Sequence, residues 1–142
     1  MPHFGLIPHG LSPKEELMFR AKLHVRGGRI RYERGEIPDA IAAFYDSFIS
    51  AMRSKAMDHS DKIDDSDDEK ELFNFLREKG IINSFTEDDF ESFQDLLDRA
   101  FRNVVVSQEL GNFLDTFNRV MSELGVIPIK DGELPEEQSV TL

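Results

Sequence analysis

The segment PDAIAAFYDSFISAMRSKAM, residues 38–57, decides the fold of this 142-residue chain. Its apolar side chains recur at the three- and four-residue spacing of an α-helix and spread widely around the helix axis: Ile41, Ala42, Phe44, Tyr45, Phe48, Ile49 and Met52. A helix with so wide an apolar stripe is buried on most of its surface. The sequence therefore predicts that this helix is the core of the domain.

Another helix is predicted before this segment. The tetrapeptide SPKE at residues 12–15 has a Ser to cap the helix, a Pro at its first position and a Glu that completes a capping box. The helix is expected to run to about Arg34 and to end at Gly35. Because the link to the next helix is short, the two are predicted to form an antiparallel hairpin. The pair Gly27 and Gly28 indicates a bend or the close approach of another helix.

Three more helices are predicted after the acidic segment 58–68. Ser66 and Thr86 have the side chains of helix caps, and Gly80 and Gly125 stand where helices end. The apolar stripes of these helices contain Leu72, Phe73, Phe75 and Leu76, then Phe90, Phe93, Leu96, Leu97, Ala100, Phe101 and Val104, then Leu110, Phe113, Leu114, Phe117, Val120, Met121 and Leu124. The predicted fold is thus all-α, an antiparallel bundle of four to five helices.

The predicted domain organisation has three parts. Residues 1–12 contain two Pro and two Gly and are expected to form a flexible N-terminal arm. Residues 13–125 form the helical domain, and residues 126–142 are expected to be a C-terminal tail. The acidic segment 58–68 is expected to be a mobile loop that binds no calcium tightly, because it lacks the central Gly and the spaced ligands of a calcium loop.

Composition narrows the possible functions. The chain has no Cys, which excludes disulfides, thiolate metal sites and a Cys nucleophile, and which fits a cytoplasmic location. The four His residues do not have the spacing of metal ligands, and no phosphate-binding Gly motif is present, so no metal or cofactor is expected. No apolar run is long enough to span a membrane. A net charge of −11 makes nucleic acid an unlikely partner and leaves another protein, or a second copy of the chain, as the expected one.

The first helix is basic although the chain as a whole is acidic. Its candidate basic face consists of Arg20, Arg26, Arg29, Arg31 and Arg34. Such a face balances the strongly acidic region of residues 58–98 within the molecule or meets an acidic partner, and the sequence leaves both alternatives open.

Two segments resemble the HEPN superfamily of small helical bundles. Residues 30–50, IRYERGEIPDAIAAFYDSFIS, are similar to the opening hairpin of that family, and residues 72–108 are similar to its later helices. In the second segment Arg102 and Asn103 match the family's Arg-Asn pair, three Val follow, and Ser107 stands where the family has a His. The hairpin segment is equally similar to one tetratricopeptide-type unit.

The resemblance implies a degenerate member of the family. In its RNA-cleaving members the Arg and His form the active site, and a Ser cannot exchange protons near neutral pH as a His does. We therefore expect a non-catalytic helical interaction module that self-associates in the manner of HEPN-like bundles, with Arg102, Asn103 and Ser107 as a degenerate site. The alternative is a HEPN-type RNA-directed endoribonuclease or a toxin-like protein.

Overall fold

The computed structural model describes residues 8–59, 68–104, 107–130 and 132–135. All regular structure in these residues is helical, and five helices follow one another along the chain: α1 Pro13–Glu33, α2 Ile37–Ala56, α3 Glu69–Glu78, α4 Glu87–Phe101 and α5 Ser107–Glu123. The predicted all-α bundle is confirmed, with five helices. Residues 1–7 of the predicted arm and residues 60–67 of the acidic segment lie outside the described residues.

Local side-chain hydrogen bonds explain where the helices begin. Ser12 starts α1 with the predicted capping box, and Thr86 starts α4 with a second box in which Asp89 closes the turn. The cap of α3 differs from the prediction. Asp68, rather than Ser66, is its N-cap, and its carboxylate accepts hydrogen bonds from the N–H groups of the next turn at 3.0 and 3.1 Å. An Asp at this position also interacts favourably with the helix dipole.

α1 and α2 form the predicted antiparallel hairpin. Lys14, at the start of α1, donates from Nζ to the carbonyl oxygen of Ser54 near the end of α2 at 3.2 Å. Near the middle of the hairpin, Gly28 approaches α2 so closely that a Cβ at this position would lie 2.6 Å from Cε1 of Phe44. The Gly pair therefore marks the close approach of a neighbouring helix, one of the two interpretations of the sequence.

α2 is the buried centre of the bundle, as predicted. It packs against α1, α3, α4 and α5, and Phe48 on α2 is fully buried. The largest buried side chains around it are aromatic: Phe44, Phe48, Phe73, Phe85, Phe90, Phe93 and Phe117. Phe73 and Phe90 stack with ring centroids 4.6 Å apart. Ala42, which the sequence placed among the apolar residues of α2, is exposed.

The segment after α5 packs on the bundle. Val126, the first residue of the predicted tail, is fully buried, and Ile127 and Ile129 pack partly buried against the core. Further along, the carboxylate of Glu133 pairs with Lys22 of α1. The packed part of the chain therefore continues beyond residue 125, and its later residues contact α1. None of the helices in the described ranges is long and apolar enough to cross a membrane.

Candidate functional site

Asn103, one of the three residues of the degenerate motif, ends α4. Its φ of 56° lies in the left-handed region, which Asn tolerates better than most residues. Its N–H donates to the carbonyl oxygen of Ala100, and the N–H of Val104 donates to that of Arg99, both at 3.0 Å. This pair of hydrogen bonds is the Schellman motif, which satisfies the last carbonyl groups of a helix. The termination of α4 therefore explains why an Asn stands at position 103.

The other two motif residues are on the surface. Arg102 donates from Nη2 to the carboxylate of Asp98 at 2.7 Å, one helical turn away, and the two side chains are 64% and 67% exposed. An ion pair this exposed contributes about 0–1 kcal/mol. Ser107 is the exposed first residue of α5. His59, at the end of the hairpin, lies with its ring centroid 6.3 Å from that of Phe75.

The five arginines of the candidate basic face do not lie in one environment. Arg20 pairs with a carboxylate of α2, Arg26 donates to the backbone of the C-terminal segment, and Arg31 is buried. Arg29 and Arg34 are exposed. The proposed face is therefore interrupted, because three of its five members are engaged within the molecule or covered by it.

A carboxylate of α2 binds two side chains of α1. Oδ2 of Asp46 lies 2.6 Å from Nε2 of His24 and 3.1 Å from Nε of Arg20. Its Oδ1 accepts from Nη2 of Arg20 at 3.2 Å, so the guanidinium binds the carboxylate with two hydrogen bonds. His24 is buried, whereas Arg20 and Asp46 are partly exposed. Sequence reasoning missed this cluster, although Arg20 and His24 stand four residues apart on one face of a helix.

This environment changes the acidity of Asp46. Burial alone would raise the pKa of its carboxyl group, but the hydrogen bonds and positive charges of His24 and Arg20 outweigh burial and lower the pKa to about 2. Asp46 is therefore ionised at neutral pH and accepts protons poorly. The cluster borders a cavity of about 480 Å³, here named the α1–α2 cavity, lined by Arg20, His24, Arg31, Asp39, Ala42, Ala43 and Asp46.

The lowered pKa predicts how stability depends on pH. A carboxyl group with a depressed pKa stabilises the fold above its unfolded pKa of about 4, and this contribution disappears as pH falls toward its folded pKa. The variant Asp46→Asn should therefore be less stable than the wild type by about 1 kcal/mol near neutral pH, allowing for solvent screening at this partly exposed site. The difference should be lost as pH falls through about 2, the pKa of Asp46 in the folded protein.

Urea unfolding of both proteins along a pH series measures this difference. Asp39→Asn is the matched control, because Asp39 is exposed and lies in the first turn of the same helix. It should show a smaller effect, from the helix dipole alone. A stability difference for Asp46→Asn that stays constant down to pH 2 would contradict the assigned role of its charge.

A second feature of the surface is apolar. Within the described residues the exposed large hydrophobic side chains are Phe101 at 75% and Val104 at 55%, both at the end of α4. Phe101 borders a groove of about 360 Å³, here named the Phe101 groove, which is lined by Leu17, Arg20, Ala42, Tyr45, Asp46, Ile49, Ser50, Arg53, Glu69, Leu97 and Phe101. α1, α2, α3 and α4 all contribute to it. Nε of Arg53 is buried there without a hydrogen-bond partner.

A third depression, between α4 and α5, is acidic. It has a volume of about 680 Å³, and its lining includes four carboxylates and one guanidinium, that of Arg99. Arg99 bonds two of these carboxylates, Asp95 at 2.9 Å and Glu109 at 2.5 Å. The hydrogen bond to Glu109 raises the pKa of Arg99. This depression has a surplus of negative charge and would repel anions.

Comparisons with known proteins identify no relative. No protein-family model matches the chain, and no significant match was found among curated proteins or solved structures. Within the described ranges, no group of three or more acidic or imidazole side chains is placed to hold a metal ion.

Proposed function

We propose that the chain is a non-catalytic helical interaction module that associates with a second copy of itself through the Phe101 groove. The observation that carries this proposal is the exposure of Phe101. Seven Phe side chains of the described residues are almost completely buried, yet this one is 75% exposed at the rim of a groove. An exposed aromatic residue beside an apolar groove is typical of interaction surfaces.

The shape of this surface suits a second copy of the same chain. A two-fold interface needs a patch that is complementary to itself, so that each copy offers both a projection and a depression. Phe101 supplies the projection, and Leu17, Ile49 and Leu97 supply apolar walls of the groove beside it. Two copies related by a two-fold axis could each place Phe101 in the groove of the other.

The charges of the groove support the same occupant. Arg53 has no ion pair with a described residue, and the partner copy, with a net charge of −11, has many carboxylates to offer. The groove also carries Asp46 and Glu69, so both signs of charge are present on one face. A patch with both signs can pair opposite charges across a two-fold axis.

The residues that carry the HEPN resemblance support a non-catalytic protein. Arg102 is held by Asp98, and a Ser stands where the RNA-cleaving members have a proton-exchanging His. Membership of that superfamily and the RNA-directed alternative stay hypotheses. The RNA-directed enzyme is distinguishable from a non-catalytic module, because cleavage of RNA by repurified protein that disappears in Arg102→Ala would favour the enzyme.

Self-association predicts that Phe101→Ser weakens the dimer by more than about tenfold in Kd, because a buried aromatic anchor contributes most of such an interface. Analytical ultracentrifugation over a concentration series measures this change, at an ionic strength of about 0.15 M where repulsion between the acidic copies is screened beyond about 8 Å. Val104→Ser, at a less exposed neighbour, should have a smaller effect.

Asn74→Ser is the surface control, because Asn74 is exposed on α3 and outside the groove. Its dimer should have the affinity of the wild type. A wild-type protein that stays monomeric at every concentration would contradict the proposal. So would a dimer that Phe101→Ser leaves intact, since association would then use another surface.

A further inference from the structure

Charged side chains of α1 and α2 face the α1–α2 cavity at helical spacing. On α1, Arg20, His24 and Arg31 are separated by four and seven residues, which places them on one face of the helix. On α2, Asp39 and Asp46 are seven residues apart and line the same cavity. Between them, Ala42 and Ala43 also line the cavity, and their small side chains leave the space open.

Some of the charged groups that line the cavity pair with one another, and others do not. Arg20 and His24 both bind Asp46, so these three groups satisfy one another. The remaining charges are those of Arg31 and Asp39. Among the described residues neither of them forms an ion pair, although both line the cavity. One cation and one anion are therefore left for a ligand.

Arg31 is the stronger indication of a ligand, because it is both charged and buried. Arg31 is 4% exposed, and among the described residues its guanidinium makes one hydrogen bond, from Nη1 to the carbonyl oxygen of Gly27 at 3.0 Å. A guanidinium has five N–H donors and stays charged at any ordinary pH. Removing such a charge from water without a counter-charge is strongly unfavourable. A bound anion would supply the missing partner.

We propose that the α1–α2 cavity binds a free amino acid, with the carboxylate on Arg31 and the ammonium group toward Asp39. A planar carboxylate matches the guanidinium fork with two parallel hydrogen bonds. The exposed carboxylate of Asp39, at the start of α2, is the group that attracts the ammonium. A cavity of about 480 Å³ has room for such a molecule with its side chain.

A phosphate group matches the same lining less well. Near neutral pH it carries between one and two negative charges, whereas the cavity offers one unmatched cation. The two carboxylates of the lining, Asp39 and Asp46, would repel a second negative charge. A simple carboxylate such as acetate would satisfy Arg31 but leave Asp39 without a partner. The zwitterion is the ligand that uses both unmatched groups.

The proposal is tested by titrating isotope-labelled protein with each standard L-amino acid and following backbone amide shifts by NMR. At least one amino acid should give saturable shifts at Ala42 and Ala43, which line the cavity. Acetate and methylammonium, used as separate probes for the two halves of the ligand, should bind at least about tenfold more weakly. Inorganic phosphate should give no saturable shift at these positions.

Three variants test which residues bind the amino acid. Arg31→Gln should weaken amino-acid binding at least about tenfold, and Arg29→Gln, at an exposed position of the same helix, should not change it. Asp39→Asn changes an exposed residue and keeps the test valid even if Arg31→Gln does not fold. It should weaken amino-acid binding while the affinity for acetate stays the same.

Several results would overturn the proposal: the absence of saturable binding by any amino acid, phosphate binding more tightly than the amino acids, or wild-type amino-acid affinity in Asp39→Asn. Arg20, Ala42 and Asp46 line both the cavity and the Phe101 groove, whereas Ala43 lines the cavity and not the groove. Binding is therefore judged at Ala43 with the protein kept monomeric, so that self-association through the groove and amino-acid binding are measured separately.

Discussion

Replacing Phe48 with Ala should lower the free energy of unfolding by about 3–5 kcal/mol, the cost of deleting a fully buried aromatic side chain and leaving a cavity. Phe48 is 0% exposed, and its ring contacts four other rings at centroid distances from 5.1 to 6.5 Å: Phe73, Phe85, Phe90 and Phe93. These neighbours come from α3, α4 and the connector between them. They cannot all move inward at once to fill the cavity.

Phe101→Ala is the matched control, because it makes the same chemical change where the side chain is 75% exposed. It should change stability by no more than about 0.5 kcal/mol. Urea unfolding at a protein concentration low enough to keep the chain monomeric measures both variants. Since a domain is stabilised by about 5–15 kcal/mol in total, Phe48→Ala could unfold much of the protein. Equal stability of the two variants would show that the core is assigned to the wrong face of α2.

Gly28→Ala should lower the free energy of unfolding by about 2 kcal/mol, although Ala favours a helix over Gly by about 1 kcal/mol. The new Cβ would lie 2.6 Å from a ring carbon of Phe44, closer than real contacts allow. That ring is 2% exposed and lies 4.9 Å from the ring of Phe117, so it has little room to move away. Overpacking therefore outweighs the gain in helix propensity.

Gly111→Ala provides the comparison. Its new Cβ would meet the hydroxyl oxygen of Tyr32 at 2.8 Å, and this atom is the far end of a flexible, partly buried side chain. Because that end can swing away, Gly111→Ala should be neutral or more stable than the wild type by up to about 1 kcal/mol. Thermal unfolding of the pair checks this. A stabilising Gly28→Ala would mean that the hairpin is packed less tightly at this point.

The sequence predicted the architecture well because helix starts and buried stripes are local signals. The capping box at Ser12 and the cap at Thr86 were both correct, since each depends on side chains within one turn. The cap of α3 was misassigned because Ser66 and Asp68 are both suitable capping residues. Choosing between them requires the position of the helix within the bundle.

The candidate site was harder to predict, because its charges come together only through packing. Arg31 had the spacing of a surface residue of a basic helix, but the hairpin buries it. The contact between Arg20 and Asp46 joins residues 26 positions apart and depends on the register of the hairpin. A sequence signal did exist in the spacing of Arg20, His24 and Arg31, opposite Asp39 and Asp46. The packing of the segment after residue 125 had no comparable local signal.

The central position of α2 has a consequence for how the protein opens. Each of the other four helices packs against α2. An opening that frees α2 therefore removes the main partner of every other helix at the same time, so no smaller part of the bundle can keep its packing. Local opening can release α3, the shortest helix, alone, and its backbone amides can exchange with solvent at a lower free energy. The amides in the middle of α2 exchange through complete unfolding, which makes this helix the reporter of global stability.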